Sequence, residues 1–132
     1  MKTIRVAAGI IKRETDGLME IFATQRGHGA YKDWWEFPGG KLEEGETSEE
    51  AVVREIQEEL GVKVAVEELL CSVEYDYPDF HLSMDCFYCH VEEGEIKLLE
   101  HEAARWLSKE TLDQVNWLPA DTDVLKRIKE TL

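Results

Sequence analysis

The chain has 132 residues and a mass of 15.2 kDa, which suits one domain spanning residues 1–132. Hydrophobic residues make up 43% and charged residues 33%, enough apolar material for one core and too much for wholesale disorder. The formal net charge of −14 excludes general binding to nucleic acid polymers or anionic membranes, so a phosphate-bearing ligand needs a metal ion to bridge the repulsion.

No run approaches the roughly 18 apolar residues of a membrane span. Met1-Lys2-Thr3-Ile4-Arg5 leads straight into a strand pattern with no signal-peptide h-region, so a cytoplasmic protein is expected. Thr3 to Arg13, rich in Ile, Val and Ala, predicts a strand. Asp16-Gly17 is a turn signal, and Leu18 to Gln25 predicts the returning strand. Gly27-His28-Gly29-Ala30 reads as a flexible loop, and Trp34 to Phe37 as a short aromatic strand stopped by Pro38-Gly39-Gly40. Thr47-Ser48-Glu49-Glu50 is a capping box that opens a helix to about Leu60, with Gly61 as its left-handed stop.

Val62 to Tyr77 and Phe80 to Val91 predict two strands around a Pro78-Asp79 turn. Glu92-Glu93-Gly94-Glu95 turns the chain into further short strands through Trp106-Leu107. Ser108 is expected to cap a brief helix through Leu112. Asp121 or Thr122 should cap a last helix with Val124, Leu125, Ile128 and Leu132 on one face. This order favours an α/β sandwich with a mixed, largely antiparallel sheet between helices. Cys86 and Cys89 form C-x-x-C, but positions three apart in a strand face opposite sides, so they should not grip one metal. With Cys71 they make an odd count and no disulfide scaffold.

At about 100° per residue, Val52, Val53, Ile56 and Leu60 form the core stripe of the first helix. Glu55, Glu58 and Glu59 share a neighbouring arc with Ala51, whose small side chain leaves room for a ligand. Arg54 sits beside that arc, one turn from Glu50 and Glu58. Like charges at these spacings repel, and oxygen-seeking divalent cations, Mg²⁺ or Mn²⁺, are the obvious compensation.

The glycines just before the helix let the backbone approach a ligand closely. Gly40, five residues, Glu46, seven residues, then Arg54-Glu55-Ile56-Gln57-Glu58-Glu59-Leu60-Gly61-Val62 matches every fixed position of the Nudix hydrolase box. Val6-Ala7-Ala8-Gly9-Ile10-Ile11, Trp35-Glu36-Phe37-Pro38-Gly39-Gly40-Lys41, Ala103-Ala104-Arg105-Trp106-Leu107 and Leu118-Pro119-Ala120-Asp121 resemble landmarks of the MutT-like branch. The resemblance implies an α/β/α sandwich and hydrolysis of a nucleoside diphosphate linked to another group.

It further implies Mg²⁺ held by Glu55, Glu58 and Glu59, with the Gly40 carbonyl as a further ligand. Arg54 would orient that cluster, and Glu46 would support the loop–helix junction. Glu100 matches an outlying metal or base carboxylate, with His101 and Glu102 as rivals. Arg26 resembles a phosphate-contacting arginine. Phe37 sits where a base can stack, near Trp34 and Trp35. Asp121 occupies a base-reading position where the bacterial branch typically has Asn. The implied activity is release of a nucleoside monophosphate and pyrophosphate from a nucleoside triphosphate, such as 8-oxo-dGTP. The alternatives are a CTP or oxidised-pyrimidine substrate, or a catalytically silent sensor domain. Trp117, Tyr75, His28 and His81 are read as structural.

Overall fold

The computed structural model describes all residues, 1–132. Strand β1 (Lys2–Thr15) turns at Asp16-Gly17 into β2 (Leu18–Gln25). Both turn residues have positive φ, 51° and 79°, the twist a two-residue hairpin needs. Short strands β3 (Trp35–Glu36) and β4 (Gly39–Lys41) precede helix α1 (Ser48–Leu60). The long strands β5 (Lys63–Asp76) and β6 (Phe80–Glu93) follow, then β7 (Ala103–Ser108). Short 3-10 helices at Leu112–Gln114 and Pro119–Asp121 lead into α2 (Thr122–Thr131).

The strands form one seven-stranded mixed sheet. β1 runs parallel to β6, from Lys2 opposite Phe80 to Ile11 opposite Cys89. All other named strand pairs are antiparallel: β1 with β2 and β4, β2 with β3 and β7, and β5 with β6. Strand alternation divides the core. Ala7, Ile11, Phe87 and Cys89 face α1, where Val52, Ile56 and Leu60 are fully buried. Ile10, Cys86 and Tyr88 face the other way, toward Val124, Leu125 and Ile128 of α2. The expected sandwich is therefore present, and Cys86 and Cys89 lie in opposite cores. No helix is long and apolar enough to cross a membrane.

Five local expectations need correction. Val53 is only partly buried, and Ala51 is fully buried against the sheet, so it offers a ligand no space. Residues 94–102 form a loop instead of short strands. Its backbone goes to α1: Lys97 N–H donates to Leu60 O at 2.8 Å and Leu99 N–H to Glu59 O at 3.0 Å. Those carbonyls end a helix and have no partner within it. After Ser108, the Thr111 hydroxyl accepts from Ser108 N–H at 2.8 Å, and the helical turn starts only at Leu112. Asp121 stands at the start of α2 but makes no capping hydrogen bond. The preceding 3-10 turn gives it helical angles (φ −83°, ψ −5°), whereas a side chain that caps normally springs from extended backbone.

Candidate active site

A cavity of about 440 Å³ opens where β1, β4, α1, the loop after β2 and the loop before β7 meet. Its apolar wall includes Ile4, Val6, Phe37, Leu82 and Met84. The stacked pair Tyr77–Phe80, with ring centroids 5.1 Å apart, continues it. Its acidic lining comes from Glu36, Glu55, Glu59, Glu100 and Asp121, facing Arg26, His28, Lys41 and His101.

β4 brings the backbone against α1. Gly40 pairs with Ala7, and a Cβ added to Gly40 would collide with the Glu55 carboxyl. A Cβ on Gly39 would collide with the Ala7 carbonyl. The glycine pair is thus what lets the helix carboxylate touch the strand.

α1 begins on the predicted capping box, with Glu50 N–H donating to Thr47 Oγ1 at 3.1 Å and Thr47 N–H to Glu50 Oε1 at 2.9 Å. Arg54 then acts as a hub. Its Nε and Nη2 donate to both Glu46 oxygens at 2.7 and 2.9 Å. Nη1 reaches Glu55 at 3.0 Å and Glu58 at 3.3 Å, and Nη2 reaches the Lys41 carbonyl at 3.0 Å. The Arg54 fork and the Glu43 N–H pull the Glu46 carboxyl down to about 2.

Glu59 stands on the other side of the same helix turn. It is 4% exposed and pairs with no Arg or Lys. Burial, then Glu55, Glu36 and Glu100, push its carboxyl up to about 9. Glu58, by contrast, is half exposed, lies on Arg54 and does not line the cavity. The expected trio is therefore split: Glu55 and Glu59 enter the cavity with Gly40 and Glu100, and Glu58 stays outside it. No group of three His, Cys, Asp or Glu side chains is already gathered for a metal. The chemistry of the donors still fits a hard divalent cation. They are carboxylate oxygens crowded until one keeps its proton, beside a glycine backbone.

The three neighbours Glu100, His101 and Glu102 separate cleanly. Glu100 is exposed at the cavity mouth. Glu102 turns away to Lys32, at 3.8 Å. The His101 side chain is 8% exposed, with Nε2 3.3 Å from Glu59 Oε1 and 3.7 Å from Glu36 Oε2. Burial, then the positive field of Arg26 and His28, lowers its pKa. Arg26 Nη1 lies 3.4 Å from Glu36 Oε1. Burial raises the Glu36 carboxyl, and Arg26 partly offsets that.

Phe37 lines the cavity but gives one face to Trp117, at 4.6 Å between centroids. Trp34 and Trp35 do not line it. The chain from Asn116 to Leu118 is tied to Trp35 by two backbone bonds of 2.8 and 2.9 Å. That tie delivers Ala120 and Asp121 to the cavity, where Ala120 N–H donates to the Tyr77 hydroxyl at 3.3 Å. Asp121 is 4% exposed, and burial, then Glu36, raises its pKa well above the ordinary carboxylate range. Sequence reasoning missed Glu36, Tyr77 and Phe80, and read as structural His28, which also lines the cavity. Only Glu36, an acid between two aromatics in an apolar strand, carried a usable signal.

The NUDIX domain model matches residues 3–128. The chain is 38% identical over 130 residues to the 8-oxo-dGTP diphosphatase of Escherichia coli K12, covering 98% of each protein. It is 33% identical to the CTP pyrophosphohydrolase of the same organism, covering 96% of this chain and 91% of that one. Among solved structures, the MutT NUDIX hydrolase from Burkholderia pseudomallei superposes with a TM-score of 0.81 at 30% identity, over 97% of this chain and 99% of the other. An acidic helix face, a glycine cradle beneath it and a mixed sheet between two helices thus occur together in a chain that belongs to the NUDIX family.

Proposed function

We propose that this chain is a divalent-cation-dependent nucleoside triphosphate pyrophosphohydrolase that releases a nucleoside monophosphate and pyrophosphate, with an oxidised guanine nucleotide such as 8-oxo-dGTP as substrate. The observation that carries this reading is one cavity with two chemistries: Glu55, which shares Arg54, and Glu59 and Glu100, which no Arg or Lys reaches, beside an apolar wall of Phe37, Tyr77 and Phe80. The carboxylates suit a cation and its phosphates, and the wall suits a base. The relative that acts on 8-oxo-dGTP is similar over nearly the whole chain. A chain this acidic suits free nucleotides over nucleic acid polymers, and in this reading it acts on the cytoplasmic nucleotide pool.

In this reading Glu55, Glu58, Glu59 and the Gly40 carbonyl hold Mg²⁺ or Mn²⁺. The bound ion neutralises phosphate charge and lowers the pKa of a water. Arg54 keeps Glu55 and Glu58 in place, and Arg26 clamps phosphate oxygens. Glu100, exposed at the cavity mouth, takes the proton of the attacking water. The Phe37 ring supports the base, and Asp121 reads its edge. Ionised, Asp121 accepts from guanine N1–H and N2–H₂ or from a cytosine amine; protonated, as its burial favours, it also donates to a ring carbonyl.

That double capacity, with the similarity to a CTP pyrophosphohydrolase, supports CTP as a second reading. Pyrophosphate release from 8-oxo-dGTP, dGTP and CTP, with Mg²⁺ and with excess EDTA, separates the two. The first reading expects the highest kcat/KM on 8-oxo-dGTP and loss of all turnover in EDTA. Preference for CTP selects the second, and turnover in EDTA overturns both.

A further inference from the structure

The ring of His101 lies at the edge of the carboxylate cluster, and the chain on both sides of it is fixed. Leu99 N–H donates to the Glu59 carbonyl, and Glu102 N–H donates to the Gln25 carbonyl, each at 3.0 Å. The first bond ties the loop to the same residue whose carboxyl the ring faces. Nε2 stands between Glu59 Oε1 at 3.3 Å and Glu36 Oε2 at 3.7 Å.

A neutral imidazole carries one N–H. With Glu59 ionised, as it must be to bind a cation, a bare lone pair on Nε2 would face a carboxylate oxygen, so the proton belongs there. Nδ1 is then an acceptor, and it is buried without a hydrogen-bond partner. An orphaned buried acceptor costs stability that an apolar side chain of similar size would not. The return is an Nε2–H within 3.3 Å of Glu59 Oε1. Arg54 reaches Glu46, Glu55 and Glu58, but no Arg or Lys reaches Glu59.

We propose that His101 is a positioning residue: its Nε2–H holds one oxygen of Glu59 and leaves the other turned into the cavity for the cation. The proposal rests on reading Glu59 as a cation ligand. Asn and Gln separate the two ring nitrogens, because an Asn amide nitrogen sits near the Nδ1 position and a Gln amide nitrogen near Nε2. Mn²⁺ binding to the nucleotide-free protein, followed by electron paramagnetic resonance, reads this without turnover.

His101→Asn should weaken Mn²⁺ binding about tenfold, while His101→Gln stays within about threefold of wild type. Nucleotide KM should be unchanged in both, and in a Glu59→Gln background His101→Asn should add nothing. Equal losses in the two variants overturn the positioning role. So does no loss in either while Glu59→Gln abolishes tight binding. Should His101→Asn fail to fold, His101→Gln decides alone: near-native Mn²⁺ affinity supports the role, and a tenfold loss with an intact fold contradicts it. If Glu59→Gln itself binds Mn²⁺ as wild type does, the ligand reading of Glu59 fails first and takes this inference with it.

Discussion

The two sides of α1 treat carboxylates in opposite ways. On one side Arg54 gathers Glu46, Glu55 and Glu58 within 3.3 Å, and the Glu46 carboxyl drops to about 2. On the other, Glu59 is buried beside Glu36, Glu55 and Glu100 with only His101 in reach, and its carboxyl rises to about 9. The first arrangement has its charge balanced by Arg54 before any cation binds and ties the loop before α1 to the helix. The second is stable only if the charge is removed by a proton or balanced by a cation. A helix can therefore carry a charge-balanced acid network and an unbalanced one less than two turns apart, and the position of a single arginine decides which is which.

The comparison breaks most visibly at Glu59. Glu59→Gln should lower kcat/KM for pyrophosphate release at least about a hundredfold. It should leave the melting temperature unchanged or higher, since a crowded buried carboxylate is lost. Glu58→Gln, on the exposed side, should cost about tenfold. Equal effects of the two would erase the distinction between the sides.

Arg54→Gln should act the other way round, on stability as much as on rate. Losing its charge-assisted bonds should cost about 1–2 kcal/mol at pH 7, read by thermal or urea unfolding. The two sides also predict opposite pH trends. Glu46, held low when folded, stabilises fully above its ordinary 4.5, and that contribution fades as pH falls toward 2. Glu59, held high when folded, is least costly below 4.5, and the metal-free protein should lose stability as pH rises from there toward 9. Unfolding curves of metal-free Arg54→Gln and Glu59→Gln across that range should lose the acid limb and the alkaline limb respectively. The smallest effect concerns Asp121. Asp121→Asn should shift the guanine-to-cytosine ratio of kcat/KM about tenfold, near 1.4 kcal/mol, without weakening α2, which receives no cap from it. An unchanged ratio would remove Asp121 from base recognition.

Features carried by neighbouring residues were legible in the sequence. The Asp16-Gly17 hairpin, the Thr47–Glu50 capping box, Gly61 and the opposite facing of Cys86 and Cys89 are local consequences of turn chemistry and strand period. Features set by what packs from elsewhere were not. The arc that grouped Ala51 with the three glutamates does not share one environment: Ala51 lies against the sheet, Glu59 is buried at the cavity and Glu58 is exposed outside it. The loop before β7 took its path from the free carbonyls at the end of α1. Asp121 fits a cap by type and position, and only the preceding 3-10 turn directs it into the cavity. Glu100, His101 and Glu102 are indistinguishable by composition, and only the fold buries the second and exposes the others.

Proton release on cation binding tests most directly whether the Glu59 side is poised for a cation. Mg²⁺ titrated into the nucleotide-free protein at pH 7, by calorimetry in buffers of different ionisation enthalpy, counts the protons displaced. A carboxyl held near 9 should give up about one proton as the ion binds, and Glu59→Gln should give up none. Binding without proton release, or release unchanged in Glu59→Gln, would contradict the account.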